Sequence, residues 1–156
     1  MIKQNGETVT IDTNTAAQGA GQAYAIAVEG SKDVVSTGFG NNAISVTGQN
    51  DRVSAQGNIT VRLGGAGNVL TLSGGGQNSV DVTGSGDTVN ASSSTVTLEA
   101  GVGVTVNGSS DTISVTSGAV LTATGTGDRI GRDGSARTRS LDSAPSRWSK
   151  GSRERV

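Results

Sequence analysis

The chain reads as an all-β parallel solenoid, a narrow coil of short strands with corners of Gly, Asn and Asp, and three observations predict this fold. Val, Ile and Leu alternate with Ser, Thr, Asp and Asn over short stretches bounded by Gly, Asn and Asp, as in Thr60-Val61-Arg62-Leu63 and Ser79-Val80-Asp81-Val82, which is the strand signal. Apolar centres then recur at intervals close to nine residues: 26, 35, 44, 53, 61, 70, 80, 89, 98, 106, 113, 121 and 130. Finally, aromatic residues are 2% of a 156-residue chain that holds 25 Gly, so its interior must be thin and aliphatic. No window has helical periodicity, and the frequent Gly makes a helix costly.

A strand and a turn within about nine residues is short for a sandwich but suits rungs stacked about 4.8 Å apart. Ile26/Val28, Gly30, Asp33 and Val35 return 18 residues later as Ile44/Val46, Gly48, Asp51 and Val53, which gives two strands per coil. The intervals 44 to 70 and 104 to 130 fit three strands per coil instead. The shorter recurrence favours a two-sided β-roll, with the three-sided β-helix left open. Burying one aliphatic is worth roughly 1.5 to 3 kcal/mol, too little to order a single unit, so stacking is obligatory.

Taken in order, Thr8-Val9-Thr10-Ile11-Asp12 is a short alternating strand, and residues 13–23 form a loop or an irregular first coil. The regular pattern begins near Ile26. Three longer repeats, Asn42 to Gly67, Asn78 to Gly103 and Gly103 to Asp128, read in one frame. Each has an apolar pair (Ile44/Val46, Val80/Val82, Val104/Val106), a Gly (Gly48, Gly84, Gly108) and an Asp three residues on (Asp51, Asp87, Asp111). Gly with Asn or Asp is expected to supply left-handed backbone at the corners. Alternation ends at Ile130, so residues 1–130 are assigned to the solenoid domain. Residues 131–156 hold the only Pro and the only Trp, and read as a disordered basic tail foreign to the fold.

Charge follows the same division. Through Asp128, ten acids face four bases, a balance of −6; from Arg129 onward eight bases face three acids, a balance of +5. The overall −1 hides both. Arg132, Arg137, Arg139, Arg147, Lys150, Arg153 and Arg155 could give only salt-sensitive, nonspecific contact with nucleic acid, so no specific nucleic-acid partner is expected. No apolar run has the length of a membrane span or a signal-peptide core.

The chain has no Cys and no His, which removes thiol chemistry, zinc thiolate sites and the commonest general base. Its Gly runs are followed by no Gly-Lys-Ser/Thr and no helix, so they are not phosphate loops. No enzyme and no small-molecule substrate is expected. Thr8/Thr10, Thr95/Thr97 and Thr122/Thr124 would suit a flat ice-binding face, but they do not recur at each coil and read instead as outward strand formers.

The Gly-x-x-Asp-x-apolar corners between residues 26 and 130 resemble the RTX family of secreted bacterial repeat proteins, whose nonapeptide is Gly-Gly-x-Gly-x-Asp-x-apolar-x. The resemblance implies a parallel β-roll that folds on calcium outside the cell, with Asp33, Asp51, Asp87, Asp111 and Asp128 as metal ligands and Asn42 and Asn78 in the same slot. The chain departs from the family by placing Gly three residues before the Asp rather than two, at Gly30, Gly48, Gly84, Gly108 and Gly125. Together the readings describe a non-enzymatic rigid spacer, scaffold or adhesive stalk of a secreted or cell-surface bacterial protein. The alternatives are a calcium-binding RTX-like roll and a self-assembling or ice-binding solenoid, with homo-oligomers formed by end-to-end or edge stacking.

Overall fold

The structure, a computed structural model, describes residues 1–11, 23–74, 77–141 and 147–150. Asp12, most of the 13–23 loop and the rest of the expected tail lie outside the described residues. Two parallel sheets of eight strands face each other across an aliphatic core. The odd sheet stacks β1 (Thr8–Ile11), β3 (Val34–Gly40), β5 (Arg52–Gly57), β7 (Val69–Ser73), β9 (Asp87–Asn90), β11 (Gly103–Asn107), β13 (Val120–Thr124) and β15 (Arg137–Ser140) in that order. The even sheet stacks β2 (Ala25–Val28), β4 (Ala43–Val46), β6 (Thr60–Leu63), β8 (Ser79–Val82), β10 (Thr95–Leu98), β12 (Thr112–Val115), β14 (Arg129–Arg132) and β16 (Arg147–Lys150). The chain therefore makes two strands per coil, and the three-sided alternative is set aside.

Alternation produces this cross-section directly. In β6, Val61 and Leu63 point inward and are buried while Thr60 and Arg62 are exposed. The apolar centres from Ile26 to Ile130 fall in alternate sheets, and all of them are buried. The first coil is built from both ends of the N-terminal segment. Ile2 exchanges backbone hydrogen bonds with the strip beside β2, Ile2 N–H to Ala27 O and Glu29 N–H to Ile2 O, both 2.8 Å, while β1 pairs with β3.

The stack continues past Ile130, where the alternation ends. A turn from Asp133 to Ala136, closed by the Ala136 N–H to the Asp133 carbonyl at 3.1 Å, leads into β15, which pairs with β13. Ala136 is buried, in register with Ala119 of the previous coil. The inward positions of β15 are Thr138 and Ser140, half-buried and polar, so this strand carries no apolar alternation to read. Among the described residues no helix is long and apolar enough to cross a membrane.

Candidate functional site

Seven corners among the described residues share one four-residue build. In the first coils it leads into the odd sheet: Gly30-Ser31-Lys32-Asp33, Gly48-Gln49-Asn50-Asp51, Gly65-Ala66-Gly67-Asn68 and Gly84-Ser85-Gly86-Asp87. In the last coils it leads into the even sheet: Ala91-Ser92-Ser93-Ser94, Gly108-Ser109-Ser110-Asp111 and Gly125-Thr126-Gly127-Asp128. The five acids read as one set thus stand in two columns on opposite sides of the coil. Asp33, Asp51 and Asp87 are joined by Asn68, whereas Asp111 and Asp128 share their column with Asn42, Asn78 and Ser94. The single frame of the three long repeats is corrected accordingly: Ile44/Val46 and Val80/Val82 lie in the even sheet, but Val104/Val106 lie in the odd sheet, half a coil out of phase.

Two backbone constraints make the corner. The residue just before the slot is left-handed, with φ of 63° at Lys32, 59° at Asn50, 55° at Ser93 and 61° at Ser110, and with Gly67, Gly86 and Gly127 in the equivalent places. The Gly three residues before the acid serves close approach. At Gly48 a Cβ would overlap the Gly30 carbonyl oxygen of the preceding coil and the Asp51 Oδ2; at Gly108 it would overlap the Ala91 carbonyl oxygen and stand 2.6 Å from the Asp111 Oδ2. Ala91 is the informative exception. Its slot residue is Ser94, which has no second carboxylate oxygen and turns its hydroxyl to the Ser92 carbonyl at 3.1 Å.

In the Asp and Asn slots the Oδ1 atom accepts a backbone N–H from the coil before it, which ties successive coils together. The odd-sheet column runs from Glu7 N–H to Asp33 (2.8 Å), Asp33 N–H to Asp51 (2.9 Å), Asp51 N–H to Asn68 (2.9 Å) and Asn68 N–H to Asp87 (2.8 Å). The other column runs from Ser94 N–H to Asp111 (2.9 Å) and Asp111 N–H to Asp128 (3.0 Å). The Oδ2 atoms of Asp33, Asp51, Asp87 and Asp111 are buried and accept no hydrogen bond. Burial pushes the carboxyls of Asp51 and Asp87 above the ordinary range, against the lowering effect of the backbone donors. At Asp111 burial, with the Asp128 charge adding to it and the Ser94 N–H opposing it, pushes the carboxyl up to about 6.

These slots do not fit the calcium that the RTX resemblance implies. Calcium takes about six to eight oxygens, several of them carboxylate. Each slot brings one carboxylate, one oxygen of which already holds a backbone N–H. Asn68 fills the same position with an amide whose Nδ2 donates to the Gly64 carbonyl at 2.8 Å and to the Gly48 carbonyl at 3.3 Å, a cation-like group where a cation would have to sit. Among the described residues no three acidic side chains gather as a metal site.

No protein-family model, curated protein or solved structure matches the chain. The reading of the site therefore rests on its own geometry.

Outside the coil, a second ladder runs along the odd sheet. Asn90 Nδ2 donates to Thr71 Oγ1 (3.3 Å), Asn107 Nδ2 to Asn90 Oδ1 (2.9 Å) and Thr124 Oγ1 to Asn107 Oδ1 (2.6 Å). On the even sheet Arg62 bridges Asp81 at 3.5 Å and Glu99 at 3.9 Å. The three Thr pairs do not form one plane: Thr8/Thr10 and Thr122/Thr124 lie at distant strands of the odd sheet, and Thr95/Thr97 lie in the even sheet. The Thr column that does exist, Thr88, Thr105 and Thr122, comes from three separate coils and is visible only once the register is known. Asn68 was readable from sequence, because Gly65 stands three residues before it, as Gly48 stands before Asp51.

Proposed function

We propose that this chain is a rigid, non-catalytic structural segment, a spacer or scaffold whose working property is its length along the coil axis. The observation that carries the reading is the continuity of the inner ladder. Asp33, Asp51, Asn68 and Asp87 pin successive coils at separations of 18, 17 and 19 residues, each by a backbone N–H buried from water. Such bonds resist slippage between coils, because a one-residue slip would turn the whole apolar set outward. Polar outer columns keep the rod soluble, and a place on a cell surface or in a secreted protein suits such a part.

Small-angle scattering tests the proposal. Excising one whole coil from the middle should leave a folded particle shorter by about 4.8 Å, the spacing of neighbouring strands. Loss of folding, or an unchanged maximum dimension, would mean that the coils are not interchangeable rungs.

Self-association is a second reading, favoured by β1, the terminal strand of the odd sheet, whose outward edge is a template for another strand. Sedimentation velocity over a hundredfold range of concentration should show growth by end-to-end addition. A constant monomer sinks this second reading and leaves the first intact. Calcium-dependent folding is not carried forward, because the donor set of the slots does not suit that ion.

A further inference from the structure

The unpartnered carboxylate oxygens have a common neighbour. A Cβ on Gly48 would overlap the carbonyl oxygen of Gly30 in the preceding coil and also the Asp51 Oδ2, so both acceptors flank one small space. The Asp87 Oδ2, at 2.7 Å, and the Gly65 carbonyl oxygen likewise flank the Cβ position of Gly84, and the Asp111 Oδ2, at 2.6 Å, and the Ala91 carbonyl oxygen flank that of Gly108. A buried carboxylate oxygen that has no donor, with another acceptor beside it, is costly to keep charged. The same column contains its own control. Over Gly65 lies the Gly48 carbonyl oxygen, and there the slot residue is Asn68, whose Nδ2 donates to that oxygen and to Gly64.

We propose that the Oδ2 atoms of Asp51, Asp87 and Asp111 are proton-binding sites, each carboxyl taking up a proton in the folded coil at acid pH and donating its O–H to a corner carbonyl as the Asn68 amide does, so that the solenoid is an acid-favoured fold. The acidic residue facing Asp51 is Asp33 of the neighbouring coil, and the one facing Asp111 is Asp128; a charge on either opposes ionisation of its neighbour. Asp87 faces Asn68, which is neutral. The nearest bases in the chain, Lys32, Arg52 and Arg129, are exposed, and among the described residues no ion pair reaches these three acids.

The sign follows from proton counting. Asp111 releases its proton at 3.8 when unfolded and at about 6 when folded, so the folded chain holds more protons between those values. Its contribution is complete below 3.8 and is lost as pH rises toward about 6, a change on the order of a hundredfold in the folding equilibrium constant. Asp51 and Asp87 act in the same direction.

Urea unfolding of the full chain, followed by far-ultraviolet circular dichroism from pH 3 to pH 8 with chelator present, tests this. The midpoint of the wild type should fall as pH rises from about 4 to about 6. Asp51→Asn, Asp87→Asn and Asp111→Asn should each flatten that fall and match or exceed the wild-type midpoint at pH 8, with Asp111→Asn removing the change on the order of a hundredfold that its carboxyl contributes. Should a variant fail to fold, Asn68→Asp provides the converse: it should steepen the fall and be weaker at pH 8 than at pH 4. Asn variants that are weaker at every pH with the wild-type slope retained would overturn the proposal. So would a wild type whose midpoint at pH 8 is restored by millimolar calcium, since the Oδ2 atoms would then be binding a metal cation rather than a proton.

Discussion

In the last coils the two sides of the solenoid turn the chain in different ways. On one side, Gly108-Ser109-Ser110-Asp111 and Gly125-Thr126-Gly127-Asp128 fold a carboxyl into the corner and use it to hold the backbone of the coil before. On the other side, Thr116-Ser117-Gly118-Ala119 makes a tight turn closed by the Ala119 N–H to the Thr116 carbonyl at 3.1 Å, and the inward position that follows is Leu121. Leu121 and Val104 stand in register with Asp87. One column therefore changes from acid to aliphatic without a break in the sheet, while the opposite column changes from Asn78 through Ser94 to Asp111. The difference teaches that the acid corner and the apolar corner are two solutions to the same packing problem. The acid solution needs a Gly three residues earlier and a left-handed residue just before it; the apolar solution needs only a turn Gly and an aliphatic chain.

The requirement for Gly gives the largest expected effect. Gly108→Ala forces a methyl group into the Ala91 carbonyl and the Asp111 Oδ2, with backbone on one side that cannot move alone, and should cost about 4 kcal/mol or more. Ala91→Gly, at the corner whose slot is Ser94, should cost only about 0.5 to 1 kcal/mol, from added chain entropy. Urea midpoints of the two variants read the contrast directly. Equal losses would show that the acid does not dictate the Gly.

On the aliphatic side, Leu121→Ala removes a fully buried side chain from the position that Asp87 holds two coils earlier. The expected loss is about 2 to 4 kcal/mol, set by how far the thin core can close around the gap. A loss below about 1 kcal/mol would mean that the apolar corner is held by its turn alone. The comparison of corners would then need a different basis.

This contrast explains what the sequence could and could not disclose. The strand positions were legible because Val, Ile and Leu mark most inward sites with period two; the apolar centres from Ile26 to Ile130 all proved buried, while Val34 and Val120 face outward. The side of the coil was not legible. A half coil and a repeat unit both occupy about nine residues, so Gly48-x-x-Asp51 and Gly108-x-x-Asp111 look identical although they lie on opposite corners. Left-handed backbone at Gly and Asn of the corners, as at Gly67, Gly86, Gly127 and Asn50, follows the expectation, but Lys32, Ser93 and Ser110 fill the same position without Gly or Asn, and Gly48 and Gly108 serve close approach instead. Strand β15 carries no readable signal because Thr138 and Ser140, rather than an aliphatic pair, take its inward positions. The ladder itself was half visible: Asp and Asn at matching corners suggested stacking along the coil, and Gly65-x-x-Asn68 repeats the spacing of Gly48-x-x-Asp51, but the register is needed to place Asn68 between Asp51 and Asp87 in one column.

The left-handed position sharpens the same comparison with a gain rather than a loss. Ser110 adopts φ of 61°, where its counterparts one coil on and in the opposite column are Gly127 and Gly86. Ser110→Gly should stabilise the fold by about 0.5 to 1 kcal/mol, because relief of the left-handed strain exceeds the entropy cost of the new Gly. A raised urea midpoint is the expected reading; a lowered one would assign the Ser110 side chain a contact that outweighs the strain.

The smallest effect separates the inner ladder from the outer one. Asn107 accepts from Thr124 and donates to Asn90 on the face of the odd sheet, where water can replace either bond. Asn68 donates twice, to the Gly48 and Gly64 carbonyls, and accepts from the Asp51 N–H inside the corner, where water cannot replace those bonds. Asn107→Ala should therefore cost only about 0.5 to 1 kcal/mol, while Asn68→Ala, which strands buried carbonyls and the Asp51 N–H, should cost several times as much. Thermal and urea unfolding of the pair would decide the matter. If the two losses were equal, the outer columns would be holding the coils together as firmly as the buried acids, and the interior slots would lose their special standing in the stack.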